Sequence, residues 1–209
     1  MPIRQGLIVL ALGLIGGALA WVLWGVLSGY SGARLADVAA ARVPESGVSN
    51  PVTAVLLNFR GYDTLLELAV LLAAILGIWS SGPALPGYRE AGNVLAGLVA
   101  WVVPLLILTG GYLLWVGGHA PGGAFQAGAL LGAAGVTLRL AGHPGAGLPP
   151  EPLLRVVLGL GVLVFTLVGL TLWALGAGFL TYPPGLAKWR ILFIESAATL
   201  AIGATLAAA

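Results

Sequence analysis

The sequence has no cysteine and very little charge. Because there is no cysteine among its 209 residues, disulfides, iron–sulfur clusters and thiolate metal sites are excluded. Only two residues are histidine, too few for a histidine-rich metal centre. Charged residues make up 8% of the chain, against about 25% in soluble globular proteins. The net charge is only +2, and no cluster of Lys and Arg indicates a nucleic-acid partner. A soluble enzyme domain is therefore excluded, and no cofactor motif is present.

Long apolar runs make up most of the chain. Hydrophobic residues account for 59% of it, and the mean hydropathy is +1.04. A run of about 20 apolar residues spans the hydrocarbon core of a bilayer as a helix, and no run alternates as the strands of a membrane barrel do. We therefore predict an all-α, polytopic membrane protein with about six transmembrane helices. The predicted spans are Gly6–Tyr30, Tyr62–Ser80, Val94–Val116, Gly122–Ala141, Leu153–Gly178 and Ala187–Ala209.

Two polar breaks divide these spans. Ser31–Arg60 is the longest connection, and its apolar end, Pro51–Phe59, is predicted to form a short interfacial helix. Gly82–Gly92 contains two prolines and two charges and is predicted to separate a two-helix unit, residues 1–82, from a four-helix unit, residues 90–209.

Glycine is abundant, with 33 residues. Gly128 and Gly132 lie four apart, as do Ala197 and Ala201, and such small-residue pairs let transmembrane helices approach closely. The pattern predicts close packing within this chain, and docking of a partner protein is the alternative.

Two acids begin the second span. Asp63 and Glu67 are four residues apart and share one helix face. Acids in a first turn complement the helix dipole, and Arg60 is placed to pair with Asp63. Glu67 lies one turn deeper, where a charge costs about 2.5–3.5 kcal/mol on insertion scales. The pair therefore indicates either a proton relay or helix capping.

A third acid, Glu195, lies inside the last span. It is eight residues beyond Ala187, about 12 Å along a helix, and Thr199 lies on the same face. We predict a protonatable or cation-binding carboxylate, and a hydrogen bond that serves only packing is the alternative. Lys188 and Arg190 flank this span and are predicted to be interfacial anchors.

The segment Gly117–Gly128 is too rich in glycine and proline for regular helix. Irregular backbone at membrane depth is tolerated only where it is buried in protein or lines a cavity. His119 and Gln126 are predicted to line such a cavity, with His119 relaying protons; a tight interfacial turn is the alternative. The residues assigned to this structural loop are Pro121, Gly122, Gly123, Phe125, Gln126 and Gly128.

The run His119–Gly128 resembles the signature of the MnhB/MrpB subunit of Mrp-type multisubunit cation/proton antiporters, whose pattern is close to H-x-P-G-G-G-F-Q-G-G. Ala124 and Ala127 replace two of its glycines. The resemblance covers about residues 90–209.

The N-terminal unit resembles a different component of these antiporters. Residues 50–67 are similar to the C-terminal end of their large subunit, with the pattern V-N-x-I-L-x-D-F-R-G-F-D-T-x-x-E, which related membrane-bound hydrogenases carry as a separate small subunit. Asn58 stands where that pattern has aspartate, and Tyr62 replaces phenylalanine. The chain would then be a fusion of the two units.

These resemblances imply a non-catalytic membrane subunit of a Na⁺/H⁺-translocating assembly related to respiratory complex I. Its partners would be other membrane subunits, the lipid bilayer, and Na⁺ and H⁺ as transported ions, with no cofactor and no resident metal, in a prokaryotic cytoplasmic membrane. The resemblance assigns a functional role to Asp63, to Glu67 and to the His119–Gly128 segment. Glu195 rests on its position in the last span. The alternatives are a scaffold role and a redox assembly such as a membrane-bound hydrogenase.

Overall fold

The computed structural model describes residues 2–29, 34–82, 92–143, 145, 147–183 and 185–209. The helices are α1 (Pro2–Ser28), α2 (Leu35–Arg42), α3 (Pro51–Thr53), α4 (Gly61–Ser80), α5 (Asn93–Val116), α6 (Ala124–Leu140), α7 (Glu151–Ala174) and α8 (Ala187–Ala208). The described residues contain no strand. The predicted all-α membrane fold is therefore confirmed.

The transmembrane helices match the predicted apolar runs. Within the described residues, five helices are long and apolar enough to cross a membrane: α1, α4, α5, α7 and α8. The one remaining predicted span, Gly122–Ala141, corresponds to α6, which has 17 residues and is about 25 Å long. It lies at the short end of the range for a spanning helix, because the Gly117–Gly123 segment takes up part of the predicted run without joining the helix.

The chain divides into two compact units, residues 1–38 and residues 39–209. The first contains α1, and the division falls within α2. The second contains α3 to α8 and all of the residues discussed below. Most of the predicted boundary at Gly82–Gly92 lies outside the described residues, so the division into units 1–82 and 90–209 stays a prediction.

Helix α8 lies at the centre of the second unit. Of its membrane window 67% is buried, against 28% or less for each of the other spanning helices. Ile191 and Ile194 are almost fully buried against Phe165 of α7 and Leu68 of α4. A polar side chain on α8 is therefore surrounded by protein.

Glycines bring α6 and α8 into close contact. A Cβ at Gly128 would lie 2.6 Å from the Ile202 Cβ, and a Cβ at Gly132 would lie 2.6 Å from the Leu206 Cβ. Leu131 in turn occupies the space that a Cβ at Gly203 would need, at 2.8 Å. Gly128 and Gly132 thus pack within this chain, as predicted.

The predicted short helix at Pro51–Phe59 is confirmed. Asn50 caps it: the Asn50 Oδ1 accepts a hydrogen bond of 3.0 Å from the backbone N–H of Val52. The helix begins as α3 and continues as a π-helical segment, Ala54–Phe59, which ends where the Arg60 N–H bonds to the carbonyl of Val55. Short π-helical segments are rare and frequently lie at functional sites.

Candidate functional site

The Glu195 side chain is buried inside the helix bundle, with 3% of the residue exposed. It lies against the start of α6, where the backbone N–H of Ala124 interacts with the carboxyl group. A helix N-terminus carries partial positive charge and favours an anionic group. No Lys, Arg or His side chain within the described residues forms an ion pair with Glu195. A charged carboxylate without such a partner is costly inside a bilayer, so this position favours binding of a proton or a cation.

One cavity beside Glu195 is called the Thr53 cavity here. Its polar side chains are those of Thr53, Thr64, Gln126 and Glu195, and apolar residues and glycines form the rest of its wall. The cavity volume is about 30 Å³, enough for one or two water molecules. Its hydroxyl, amide and carboxyl groups all carry oxygen atoms, the ligands that hard cations prefer.

A second cavity is also lined by Glu195. This His119 cavity is lined by Glu195, His119 and Lys188, with Trp115, Ile191 and Leu192 among its other members, and its volume is about 20 Å³. His119 itself is exposed. Among the residues that the structure describes, Glu195 alone lines both cavities. This residue therefore adjoins two separate cavities.

The α5–α6 loop is shaped by glycines that leave no space for side chains. A Cβ at Gly117 would lie 2.7 Å from the Gly123 Cα, and a Cβ at Gly122 would overlap the carbonyl oxygen of Leu113. Gly123 has φ 112, a conformation that L-residues rarely adopt, and its N–H bonds to the Leu113 carbonyl at 2.9 Å. The loop therefore folds back on the end of α5 and places the start of α6 at Glu195.

Asn50 and Thr53, at the start and end of α3, form hydrogen bonds with this loop. The Asn50 Nδ2 donates hydrogen bonds to the carbonyl oxygens of Gly117 at 2.8 Å and Ala120 at 2.9 Å. The Thr53 hydroxyl donates to the Gly117 carbonyl at 2.6 Å. The backbone N–H groups of Ser49 and Asn50 both donate to the Gly118 carbonyl. These bonds satisfy buried carbonyls that a loop without regular structure would leave unpaired.

Asp63 and Glu67 do not line either of the two cavities. Asp63 is partly exposed and forms an ion pair with Arg60 at the start of α4. Glu67 is exposed on the same helix. The structure thus places neither acid in a cavity with Glu195, and their part in an ion path stays a prediction.

The other predicted residues lie around Glu195. The Thr199 side chain is buried, and its hydroxyl donates to the Ala124 carbonyl at 3.4 Å. Gln126 and Phe125 line the Thr53 cavity together with Gly122 and Gly123. Two further members of the predicted loop are Pro121, which is exposed, and Gly128, which packs on Ile202.

Sequence reasoning missed the contribution of Asn50, Thr53 and Thr64. Thr53 and Thr64 are buried at the Thr53 cavity, and the Thr64 hydroxyl donates to the Leu56 carbonyl at 2.7 Å. Asn50 precedes Pro51, a signal for a helix N-cap. Its two bonds to residues more than 60 positions away depend on the tertiary fold.

The whole chain has the fold of subunits in two solved membrane complexes. It aligns with a chain of the membrane-bound sulfane sulfur reductase (MBS), an archaeal respiratory membrane complex, with a TM-score of 0.70 and 26% identity over 99% of this chain and 96% of that one. It also aligns with a chain of the Mrp complex from Dietzia sp. DQ12-45-1b, with a TM-score of 0.66 and 23% identity over 95% of this chain. The alignment covers 25% of that longer chain. No curated protein matches the sequence.

Residues 94–208 match the family model described as "Domain related to MnhB subunit of Na+/H+ antiporter". The match lies within the predicted four-helix unit and includes the loop, α6 and Glu195. It begins beyond residue 82, so the likeness of residues 1–82 to the large antiporter subunit or the small hydrogenase subunit stays a prediction. Since the match covers more than half of its residues, this multi-pass membrane protein belongs to the family of domains related to the MnhB subunit of Na⁺/H⁺ antiporters.

Proposed function

We propose that this chain is a membrane subunit of a multisubunit Na⁺/H⁺ antiporter, in which Glu195 passes protons or Na⁺ between two cavities. One observation supports the path above all: the residue Glu195 lines both the Thr53 cavity and the His119 cavity. Membership of the family related to the MnhB subunit supports the antiporter assignment.

The chemistry of the two cavities differs. The Thr53 cavity offers hydroxyl and amide oxygens beside the carboxyl group, which suits a water molecule or a dehydrated Na⁺. The His119 cavity is lined by an imidazole, whose ring nitrogens can donate and accept hydrogen bonds, and by an ammonium group that repels cations. We infer that protons reach Glu195 from the His119 side and that Na⁺ or water reaches it from the Thr53 side.

The chain is proposed to act without catalytic chemistry of its own, together with other membrane subunits in a prokaryotic cytoplasmic membrane. Both solved structures that share its fold are multisubunit membrane complexes, which supports partner subunits. Any energy-converting reaction would then take place in those partners.

The test is transport by the assembled complex with Glu195→Gln. The amide has nearly the shape of the carboxyl group but binds neither a proton nor Na⁺ in the same way, so Na⁺-dependent proton movement in everted membrane vesicles is expected to fall to background. Co-purification of the partner subunits is expected to be unchanged.

Glu151→Gln is the matched control. Glu151 is exposed at the start of α7 and pairs with Arg155, so its substitution is expected to leave transport intact. Wild-type transport by Glu195→Gln would contradict the proposed path. Loss of partner subunits from the Glu195→Gln complex would instead support the scaffold role.

A second candidate is an ion-translocating or scaffold subunit of a complex-I-related redox assembly. The observation in its favour is the fold shared with a chain of an archaeal respiratory complex over 99% of this chain. Identification of the co-purifying subunits distinguishes the two candidates, because a redox assembly contains subunits with redox centres, such as cysteine-ligated iron–sulfur clusters, flavin or haem.

A further inference from the structure

The two hydroxyl groups at the Thr53 cavity have their hydrogens bound to backbone carbonyls. The Thr53 hydroxyl donates to the Gly117 carbonyl at 2.6 Å and accepts from the Asn50 Nδ2 at 3.0 Å. The Thr64 hydroxyl donates to the Leu56 carbonyl at 2.7 Å. A hydroxyl has one hydrogen to donate and two lone pairs. What these hydroxyls can offer to an occupant of the cavity is therefore a lone pair and not a hydrogen.

The π-helical segment Ala54–Phe59 explains why the Thr64 hydroxyl is bound in this way. In an α-helix the Arg60 N–H would bond to the carbonyl of Leu56, four residues earlier. Here it bonds to the Val55 carbonyl instead, at 2.8 Å. The Leu56 carbonyl accepts the hydroxyl hydrogen of Thr64, and both residues line the cavity. The π-helical segment thus makes Thr64 an acceptor for the cavity.

Two further oxygen atoms border the space that Gly123 leaves by having no side chain. A Cβ at Gly123 would lie 2.8 Å from the Glu195 Oε1 and 3.8 Å from the Gln126 Oε1. All three residues line the Thr53 cavity. Carboxylate, amide and hydroxyl oxygens are the ligands that hard cations take, so the cavity combines the three kinds.

The charges at the Thr53 cavity also favour a cation. None of the described residues that line it is basic, whereas Lys188 and His119 line the other cavity. The start of α6 carries about half a positive charge, which stabilises the Glu195 carboxylate without cancelling its full negative charge. The volume of about 30 Å³ admits an ion with at most one water molecule.

We propose that the Thr53 cavity is a Na⁺ site in which Glu195 supplies the charge and Thr64 is the specificity-determining ligand. Thr53 and Gln126 supply the remaining side-chain oxygens. The proposal rests on the proposed function and makes it more specific, because it assigns Na⁺ binding to one cavity and to named ligands. Thr64 is at the centre of the test, since its hydroxyl has both lone pairs left after its bond to Leu56.

The test uses the assembled complex with Thr64→Val, which keeps the shape of the side chain and removes its oxygen. The KM for Na⁺ in Na⁺-dependent proton movement is expected to rise about tenfold, as for the loss of one contact to a charged group. The maximal rate is expected to stay near that of the wild type. Thr64→Ser keeps the hydroxyl and is expected to recover the wild-type KM.

Binding is measured separately as the melting temperature of the purified complex in NaCl against N-methylglucamine chloride of equal ionic strength. A bound cation stabilises the folded state in a concentration-dependent way. The NaCl concentration that gives half of the rise is expected to increase about tenfold in Thr64→Val. Na⁺ bound elsewhere in the complex stabilises both proteins alike, so the difference between them reports on this cavity.

Thr171→Val is the matched control. Thr171 is exposed on α7 and donates its hydroxyl hydrogen to the Leu167 carbonyl at 2.7 Å, the distance found for Thr64 and Leu56. It does not line the Thr53 cavity. Its substitution removes a hydroxyl bound to a backbone carbonyl and is expected to leave the KM for Na⁺ and the effect of NaCl on melting unchanged.

Gln126→Leu keeps the proposal testable should Thr64→Val not fold. Gln126 is exposed at the start of α6, so its substitution leaves the core intact, and the loss of its amide oxygen is expected to raise the KM for Na⁺. Wild-type Na⁺ dependence of both transport and melting in Thr64→Val and Gln126→Leu would overturn the proposal and indicate that water fills the cavity. Thr64→Ser with the KM of Thr64→Val would also overturn it, because the methyl group and not the oxygen would then matter.

Glu195→Gln separates this proposal from the ion path. If that variant is inactive while Thr64→Val and Gln126→Leu keep the wild-type Na⁺ dependence, the path stands and the Na⁺ site is overturned. If it transports like the wild type while Thr64→Val still weakens the effect of NaCl on melting, the path fails and Na⁺ binding at Thr64 stands.

Discussion

Gly123 and Glu195 are in direct contact across the α6–α8 interface. A Cβ at Gly123 would lie 2.8 Å from the Glu195 Oε1, closer than a carbon and an oxygen approach without bonding. The backbone of the loop thus forms one wall of the space around the carboxyl group. The loop and the acid, which lie more than 70 residues apart in the chain, form one site.

Gly123→Ala is expected to impair the site in two ways. The φ of 112 costs a non-glycine residue about 1–3 kcal/mol, and the new methyl group displaces the Glu195 carboxyl group from the start of α6. We expect a lower melting temperature in detergent and a loss of Na⁺-dependent proton transport greater than the loss of folded protein.

Gly118→Ala is the control in the same loop. A Cβ at Gly118 meets nothing within 4 Å, so this variant is expected to melt like the wild type. Equal transport by the Gly123→Ala and wild-type complexes would show that the contact with Glu195 is unimportant.

Asn50→Ala is expected to loosen the α5–α6 loop. The substitution removes the two donors to the Gly117 and Ala120 carbonyls and the cap on Val52. At about 0.5–1.5 kcal/mol for each of these three hydrogen bonds, the total loss is about 1.5–4.5 kcal/mol. Hydrogen–deuterium exchange is expected to rise in the peptide that covers residues 117–123.

Asn93→Ala serves as the reference for that measurement. Asn93 is exposed at the start of α5 and is expected to leave exchange in the loop unchanged. Unchanged exchange at residues 117–123 in Asn50→Ala would show that the Asn50 hydrogen bonds do not hold the loop.

Gly128→Ala is expected to separate α6 from α8. The methyl group would lie 2.6 Å from the Ile202 Cβ and 3.2 Å from the Thr199 carbonyl oxygen. Overpacking costs about 1–3 kcal/mol. Because the clashing atoms are a Cβ and a backbone oxygen, which cannot rotate away, we expect a cost above the gain of about 1 kcal/mol from replacing glycine by alanine in a helix. The melting temperature should fall in detergent.

Gly111→Ala is the control for the overpacking argument, because it adds a methyl group to a helix where there is space for one. Gly111 lies in α5 with nothing within 4 Å of its Cβ position, so helix propensity alone acts and the melting temperature is expected to stay or rise. The packing argument is wrong if Gly128→Ala is as stable as Gly111→Ala.

The long helices could be predicted from the sequence because hydrocarbon thickness and apolar run length determine them. Glu195 could be singled out for the same reason, since an acid deep in such a run needs a compensating partner. The hydrogen bonds from Asn50 and Thr53 to the α5–α6 loop could not be predicted. Its partners are backbone carbonyls, which every residue carries, so no residue type marks the pairing.

The two acids on α4 show a different limit. Helix periodicity correctly places Asp63 and Glu67 on one helix, and Arg60 pairs with Asp63 as its position allows. Periodicity gives the relation of residues within one helix but not which neighbouring helix each face meets. The distance of this pair from Glu195 therefore depends on how α4 packs, which is decided by Leu68 and Ile75 in the core.

Tyr182 is expected to make stability depend on alkaline pH. Burial raises the pKa of the Tyr182 hydroxyl well above its ordinary value of 10.0, and the nearby Arg190 charge opposes this only in part. Above about pH 10 the unfolded chain loses the proton first, so the free energy of unfolding falls with rising pH by up to about 1.4 kcal/mol per pH unit until the folded protein also titrates.

Tyr182→Phe removes the titrating group and a hydroxyl without a partner in the described structure. Its stability in detergent at pH 8 is expected to equal or exceed that of the wild type, and its decline between pH 10 and 11 is expected to be shallower. Parallel declines for the two proteins would mean that Tyr182 titrates alike in the folded and unfolded chains.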